Sequence, residues 1–203
     1  MEKLDFRNDR KDLYAPGAKD FGVVDVPSFE FLMIEGHGDP NTSPDYVAAV
    51  EALYSLSYAA KFACKLELGR DYGVLPLEGL WWADDFEAFV TQTKEAWSWT
   101  MMIRQPVPLP AATWDGVRAT AARKPLSALP AVRLETFNEG QCVQIMYVGR
   151  YSAEGPTILR LHEWISANGY SEDGHHHEIY LGDPRRAKPE NLRTVIRQPI
   201  RSV

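Results

Sequence analysis

A short internal echo constrains the fold of this chain more than any other feature. The tetrapeptide Ile-Arg-Gln-Pro occurs twice, as MMIRQPV from Met101 to Val107 and as TVIRQPI from Thr194 to Ile200. Each copy follows an apolar, strand-like run and closes on a proline, which cannot donate to a ladder and is expected to end a central strand. The same order of elements precedes both copies. In the first half a strand is predicted from Phe29 to Glu35, ended by the turn-forming Gly36-His37-Gly38-Asp39-Pro40. A helix follows, capped by Thr42 or Ser43 with Pro44 in its first turn. Its predicted buried stripe is Tyr46, Val47, Val50, Leu53, Tyr54, Ser57 and Tyr58. Strands from Val74 to Trp82 and from Trp97 to Arg104 complete this half.

The second half reads alike. A strand from Cys142 to Val148 leads to a helix opened by Gly155-Pro156, with Ile158, Leu161, Trp164 and Ile165 on one side and Asn168-Gly169 as its stop. Strands from His176 to Leu181 and from Leu192 to Arg197 follow. An extra strand, Val132 to Phe137, is expected to pair ahead of Cys142, and Thr113 to Lys124 reads as a connecting helix. A half of about 80 residues with one substantial helix is marginal alone. The expectation is therefore one α+β domain over residues 1–203: repeat one over about 21–106, connecting helix over about 113–124, repeat two over about 130–200. Each repeat is β-α-β-β, with antiparallel sheets, helices outside and a central cleft between the repeats.

Composition narrows the partners. A net charge of −6 with no long basic run argues against nucleic acid. No apolar run approaches the roughly 20 residues of a membrane span. The opening MEKLDFRNDRKDLYAPG is charged, with no apolar stretch behind it, so a cytoplasmic protein without a signal peptide is expected. Cys64 and Cys142 are far apart and read as reduced thiols. There is no Walker A, G-x-S-x-G or Rossmann glycine pattern, and no cofactor is implied. His175 and His177 would share a strand face, but no motif fixes a third ligand, so no metal is assigned.

Alternation along the strands singles out the chemistry. In His176 to Leu181, Ile179 and Leu181 suit the helix side, which leaves His176, Glu178 and Tyr180 on the opposite, central face. In Val74 to Trp82, Glu78, Leu80 and Trp82 share a face. Each half thus offers one carboxylate beside an aromatic ring at a corresponding place. Burial raises the pKa of a carboxyl group toward the range useful for proton transfer, and nearby rings add stacking and cation–π attraction of about 0.5 to 2 kcal/mol each. Such a pair suits a flat, lipophilic or cationic ligand. Trp97 and Trp99 share a face with Met101 and Ile103, which core packing also explains. Tyr147 ends its strand within reach of the same central region.

Longer runs carry a resemblance. Gly36-His37-Gly38-Asp39-Pro40-Asn41, Leu77-Glu78-Gly79-Leu80-Trp81-Trp82, Trp97-Ser98-Trp99-Thr100-Met101-Met102-Ile103 and the stretch from His176 to Arg186 resemble the GyrI-like small-molecule-binding family, from about Phe21 to Ile200. The resemblance implies a duplicated SHS2-type fold that binds bulky aromatic or cationic compounds, with Glu178 at the centre. It implies three alternatives: a metal-independent hydrolase of cyclopropane-bearing genotoxins, a drug-sequestering or sensing module without chemistry, or a gyrase-interacting protein. In the first, Glu178, Tyr180 and Tyr147 are the catalytic candidates, and Glu78, Trp82, Trp99 and His176 would hold the ligand.

Overall fold

The computed structural model describes residues 3–83, 93–183 and 186–203. Pro184 and Arg185, within the last run of the resemblance, lie outside them. In chain order the main elements are β1 (Gly22–Val26), β2 (Phe29–His37), α1 (Pro44–Glu67), β3 (Leu77–Trp82), β4 (Ser98–Arg104), α2 (Ala111–Ala121), β5 (Arg133–Phe137), β6 (Gly140–Val148), α3 (Gly155–Ala167), β7 (Tyr170–Glu172), β8 (His176–Tyr180) and β9 (Arg193–Ser202). The architecture is mixed α/β with antiparallel sheets, and the described residues form two compact units. The first takes those within 1–6, 29–75 and 81–137, the second those within 7–28, 76–80 and 138–203.

In the first unit, β2 lies between β4 and β5, antiparallel to both. The strand β5 is the extra strand of the sequence, and it joins β2 rather than Cys142. Leu134 sits opposite Leu32, the rings of Phe31 and Phe137 meet edge to face at 6.2 Å, and Arg133 bonds Glu35 at 2.7 Å. The helix α1 begins as its sequence demands, with Ser43 Oγ accepting from the Tyr46 N–H at 3.3 Å. Its buried face differs from the expected one. Ala49, Ala52, Leu53, Leu56, Ser57, Ala60 and Cys64 are buried, whereas Val47 and Tyr58 are exposed. Alanines let the helix approach the sheet closely, and apolar counting gives them too little weight. The strand β2 also runs on through Gly36 and His37, where a turn was expected. The reason is steric: a Cβ at Gly36 would fall 2.1 Å from the Trp99 ring, so glycine here admits an indole rather than a bend.

In the second unit the strand order is β1, β6, β9, β8, all neighbours antiparallel, with residues 77–80 next beyond β8. The helix α3 covers one face, packing Leu161 and Ile165 on Val143, Ile145, Ile196 and Ile200, with Ile158 and Trp164 at the margin as predicted. Asn168 ends it, and Gly169 follows at φ 77°. The strand β9 continues through Pro199 to Ser202, contrary to the expected stop. Proline is accommodated because β9 changes partners there: β8 pairs with Thr194 to Arg197 and β7 with Ile200 to Ser202, so its missing N–H falls in the gap. No helix among the described residues is long and apolar enough to cross a membrane.

Candidate functional site

Directly opposed residues of an antiparallel pair share a face. Glu178 lies opposite Ile196, and Ile196 opposite Ile145, both of which pack against α3. Glu178, together with His176 and Tyr180, therefore occupies the face covered by α3, not the face away from the helix. Ile179 takes the other side, opposite Val195. The three grouped residues do act together. The Tyr180 hydroxyl donates to Glu178 Oε2 at 2.8 Å, and His176 Nε2 stands 3.4 Å from Oε1, with neither imidazole nitrogen in a hydrogen bond. Tyr151 meets the Tyr180 ring edge-on at 5.5 Å.

One further residue completes this cluster. Glu154, immediately before α3, is 3% exposed, accepts from Thr194 Oγ at 2.8 Å and makes a carboxyl–carboxyl contact with Glu178. Burial pushes the Glu178 pKa up, but His176, the Tyr180 hydroxyl and Glu154 outweigh it and hold the carboxyl below its usual value. Glu178 is thus an anion at neutral pH rather than the raised acid expected from burial alone. Tyr147 lies opposite Thr194 on the same face, its hydroxyl donating to the Arg150 carbonyl at 3.1 Å. Burial, with Glu154 nearby, raises its phenol, which stays a neutral donor.

Glu78 is not in this group. It meets His177, whose side chain takes the opposite face from Glu178, and it is 2% exposed. His177 Nδ1 is 2.7 Å from Glu139 Oε1, and Nε2 is 3.0 Å from Glu78 Oε2, an ion-pair distance with the N–H aimed off the oxygen. Arg197, from the second Ile-Arg-Gln-Pro, bonds Glu139 at 3.0 Å, Gln144 at 2.8 and 3.0 Å, and the Leu13 carbonyl at 2.9 Å. Burial would strip the proton from His177, but Glu139 and Glu78 hold its pKa at about 9. Burial likewise raises Glu139, and His177 and Arg197 bring it down to about 2. Two cations face two carboxylates in a sealed interior, an arrangement that fixes structure, with Glu78 Oε1 and His177 Nε2 buried without a hydrogen-bond partner.

The ligand-stacking candidates Trp82 and Trp99 belong to the first unit and do not form one group. Trp99 is 1% exposed and meets the Tyr46 ring at 5.3 Å and 87°. The neighbour that joins it there is Trp81, 6.3 Å from Tyr46 and 5.9 Å from Trp97, whereas Trp82 is half-buried at the end of β3. The indole N–H of Trp99 is buried without a hydrogen-bond partner. Beside it lies a groove of about 280 Å³ bordered by Gly36, His37, Asp45, Ala49 and Ser127.

A sequence profile of the GyrI-like small molecule binding domain matches residues 19–201. The chain belongs to that family. No curated protein sequence matches it. Among solved structures, an uncharacterized conserved protein from Listeria innocua is 36% identical to this GyrI-like chain, with a TM-score of 0.88 over 98% of it and 100% of the relative. A hydrolase from Listeria innocua is 35% identical, with a TM-score of 0.83 and the same coverage. The C-terminal domain of EcmrR, 11% identical, covers 91% of this chain and 98% of its own with a TM-score of 0.57, and shares the fold alone.

Sequence reasoning missed Glu154, Glu139 and Arg197 in this GyrI-like protein. Glu154 reads as an ordinary acidic residue at a helix start, and the hydrogen bond from Thr194 of β9 reveals where it turns. Glu139 sits between predicted strands with no motif. Arg197 was visible as half of the echo, and its repetition was the available signal. Its counterpart Arg104 lies over the Phe29 ring at 3.4 Å.

Proposed function

We propose that this protein binds a bulky aromatic small molecule with its electron-poor or cationic centre against Glu178, and hydrolyses bound compounds that carry a strained cyclopropane. The observation that carries the reading is the difference between the two carboxylates. The Glu178 side chain is ionised and 14% exposed, among Tyr180, Tyr151 and His176, whereas Glu78 is sealed at 2% by His177. A half-buried anion beside rings favours a cation both electrostatically and through the ring faces.

For a cyclopropane fused to a conjugated dienone, hydrolysis adds water across the strained bond. The water oxygen bonds to the ring methylene and the C–C bond breaks. Its electron pair passes into the dienone, and the released proton ends on the carbonyl oxygen as a phenol. Glu178 would orient the water, and Tyr147, a neutral phenol, would donate to the carbonyl oxygen as charge develops there. The 35% identical hydrolase supports turnover.

The lowered pKa of Glu178 also favours a second reading, binding without chemistry, because a weakly basic carboxylate is a better counter-charge than proton acceptor. One experiment separates the two. The protein is incubated with a cyclopropane-bearing alkylator, and the mixture is analysed by mass spectrometry. A hydrated, ring-opened product that disappears with Glu178→Gln supports hydrolysis. Intact compound, with tryptophan fluorescence quenched by rhodamine 6G in wild type and less so in Glu178→Gln, supports binding alone. Neither product nor Glu178-dependent quenching would overturn both.

A further inference from the structure

Apolar periodicity assigns Val47 and Tyr58 to the buried stripe of α1, yet the helix buries its alanines and leaves both of these in solvent. They belong to a second row. Tyr58 and Phe62 are 50% and 53% exposed, Val47 and Leu66 more so, and the Tyr54 ring lies 6.4 Å from that of Tyr58. At about 100° per residue, Val47, Glu51, Tyr54, Phe62 and Lys65 all fall within about 40° of Tyr58, on one outward face. Their spacing is close to that of a two-helix seam. We propose that this face is a self-association surface, with α1 packing antiparallel on α1 of a second copy about a two-fold axis at Tyr58. The surface is independent of what Glu178 binds.

The charges on the face select that occupant. Glu51 stands one heptad before Tyr58 and Lys65 one heptad after it, each about 10 Å along the helix. The acidic end also carries Asp45, exposed in the first turn. At the other end Lys61 and Lys65 bond the same carboxylate, Asp71, at 2.7 and 3.0 Å, so two ammonium groups share one anion and positive charge is left over. A two-fold axis at Tyr58 reverses the second helix. It sets Glu51 of each copy against Lys65 of the other, Tyr54 against Phe62, and Tyr58 against itself. A parallel pairing would set like charge on like. An anionic lipid surface suits the rings and the lysines but repels Asp45 and Glu51. Half-exposed rings offer about 100 Å² each, and the row falls short of the roughly 800 Å² per partner of a standard interface. The dimer is therefore reversible, with dissociation at about 10 to 100 µM.

The test is analytical ultracentrifugation of the full chain over about 1 to 300 µM at low salt, a range that spans the expected dissociation. Wild type should pass from monomer to dimer within it. The double variant Tyr58→Ser/Phe62→Ser should stay monomeric with a urea midpoint near that of wild type, because both rings stand in solvent. Glu51→Lys and Lys65→Glu should each weaken the dimer about ten-fold or more, since the symmetry places the repulsion at two points. Lys61 keeps Asp71 paired in the second of these. Mixing the two charge variants in equal amounts should restore wild-type affinity, because the mixed dimer regains both opposite-charge contacts. A monomer throughout would overturn the proposal, and binding of that monomer to vesicles of anionic lipid would assign the face to a membrane instead. A dimer indifferent to the serine variant, or a mixture no tighter than its components, would overturn it as well.

Discussion

The cluster of His177, Glu139, Glu78 and Arg197 makes a quantitative prediction about stability against pH. In the unfolded chain His177 titrates near the ordinary 6.5, and in the folded one near 9. The folded state therefore holds the proton more tightly, so the stabilisation is complete below about pH 6 and is lost as pH rises through about 9. At about 1.4 kcal/mol per pH unit, that span makes the protonated imidazole worth about 3 kcal/mol. Glu139 shows the same ion pair from the acid side: its carboxyl, held at about 2, contributes above the normal carboxylate range and loses its contribution as pH falls through about 2. The two effects are one interaction and are not added. Urea unfolding at pH 6, 8 and 10 is the assay. The buried thiols of Cys64 and Cys142 are also pushed up, so they too remove stability at alkaline pH. The informative quantity is the difference between wild type and His177→Gln. That difference should be large at pH 6 and shrink by about 3 kcal/mol at pH 10. A difference independent of pH would show that His177 is buried neutral, and the argument from charge pairing would fail.

Two substitutions test the packing. Gly36→Ala drives a methyl group into the Trp99 ring, where the nearest carbon would be 2.1 Å away, and should cost about 2 kcal/mol in urea unfolding. An unaltered midpoint would mean that the indole is free to move. Ser43→Ala removes the acceptor for the Tyr46 N–H and should cost about 1 kcal/mol, with Ser43→Asp close to wild type. Equal losses in both would indicate that the hydroxyl acts through something other than the cap.

The elements of this fold were legible wherever a local rule acted alone. Ser43 before Pro44, Asn168-Gly169 after Ala167 and the stripe of Leu161 and Ile165 all follow from short-range chemistry, and they lie where they were expected. Partner choice was not legible. The strand β5 reads as an attachment to the second half because it precedes Cys142, yet it pairs with β2, and β6 takes β1, a five-residue strand with no strong pattern. Pairing depends on which edge is open, and no local signal encodes that. Pro199 shows the same limit: a proline is tolerated in mid-strand where the neighbouring strand ends, and only the tertiary arrangement supplies that gap.

The reading of strand faces failed in one respect and held in another, for a single physical reason. Alternation put His176, Glu178 and Tyr180 together correctly, because residues two apart on a strand must share a side. It placed them on the wrong side relative to the helix because both faces of β8 are apolar enough to be buried: Ile179 meets Val195 and Met146 on one, while Glu178 shares the other with Ile196 and Ile145. Period two determines which residues go together but not which set meets a helix. The parity of His177 then matters as much as that of Glu178. It draws Glu78 onto the opposite face and into an ion cluster, so two carboxylates that look equivalent in the sequence end in different surroundings. Their chemistry is set by the donors that fold around each one, a charged imidazole for Glu78 and a phenol with a second carboxyl for Glu178.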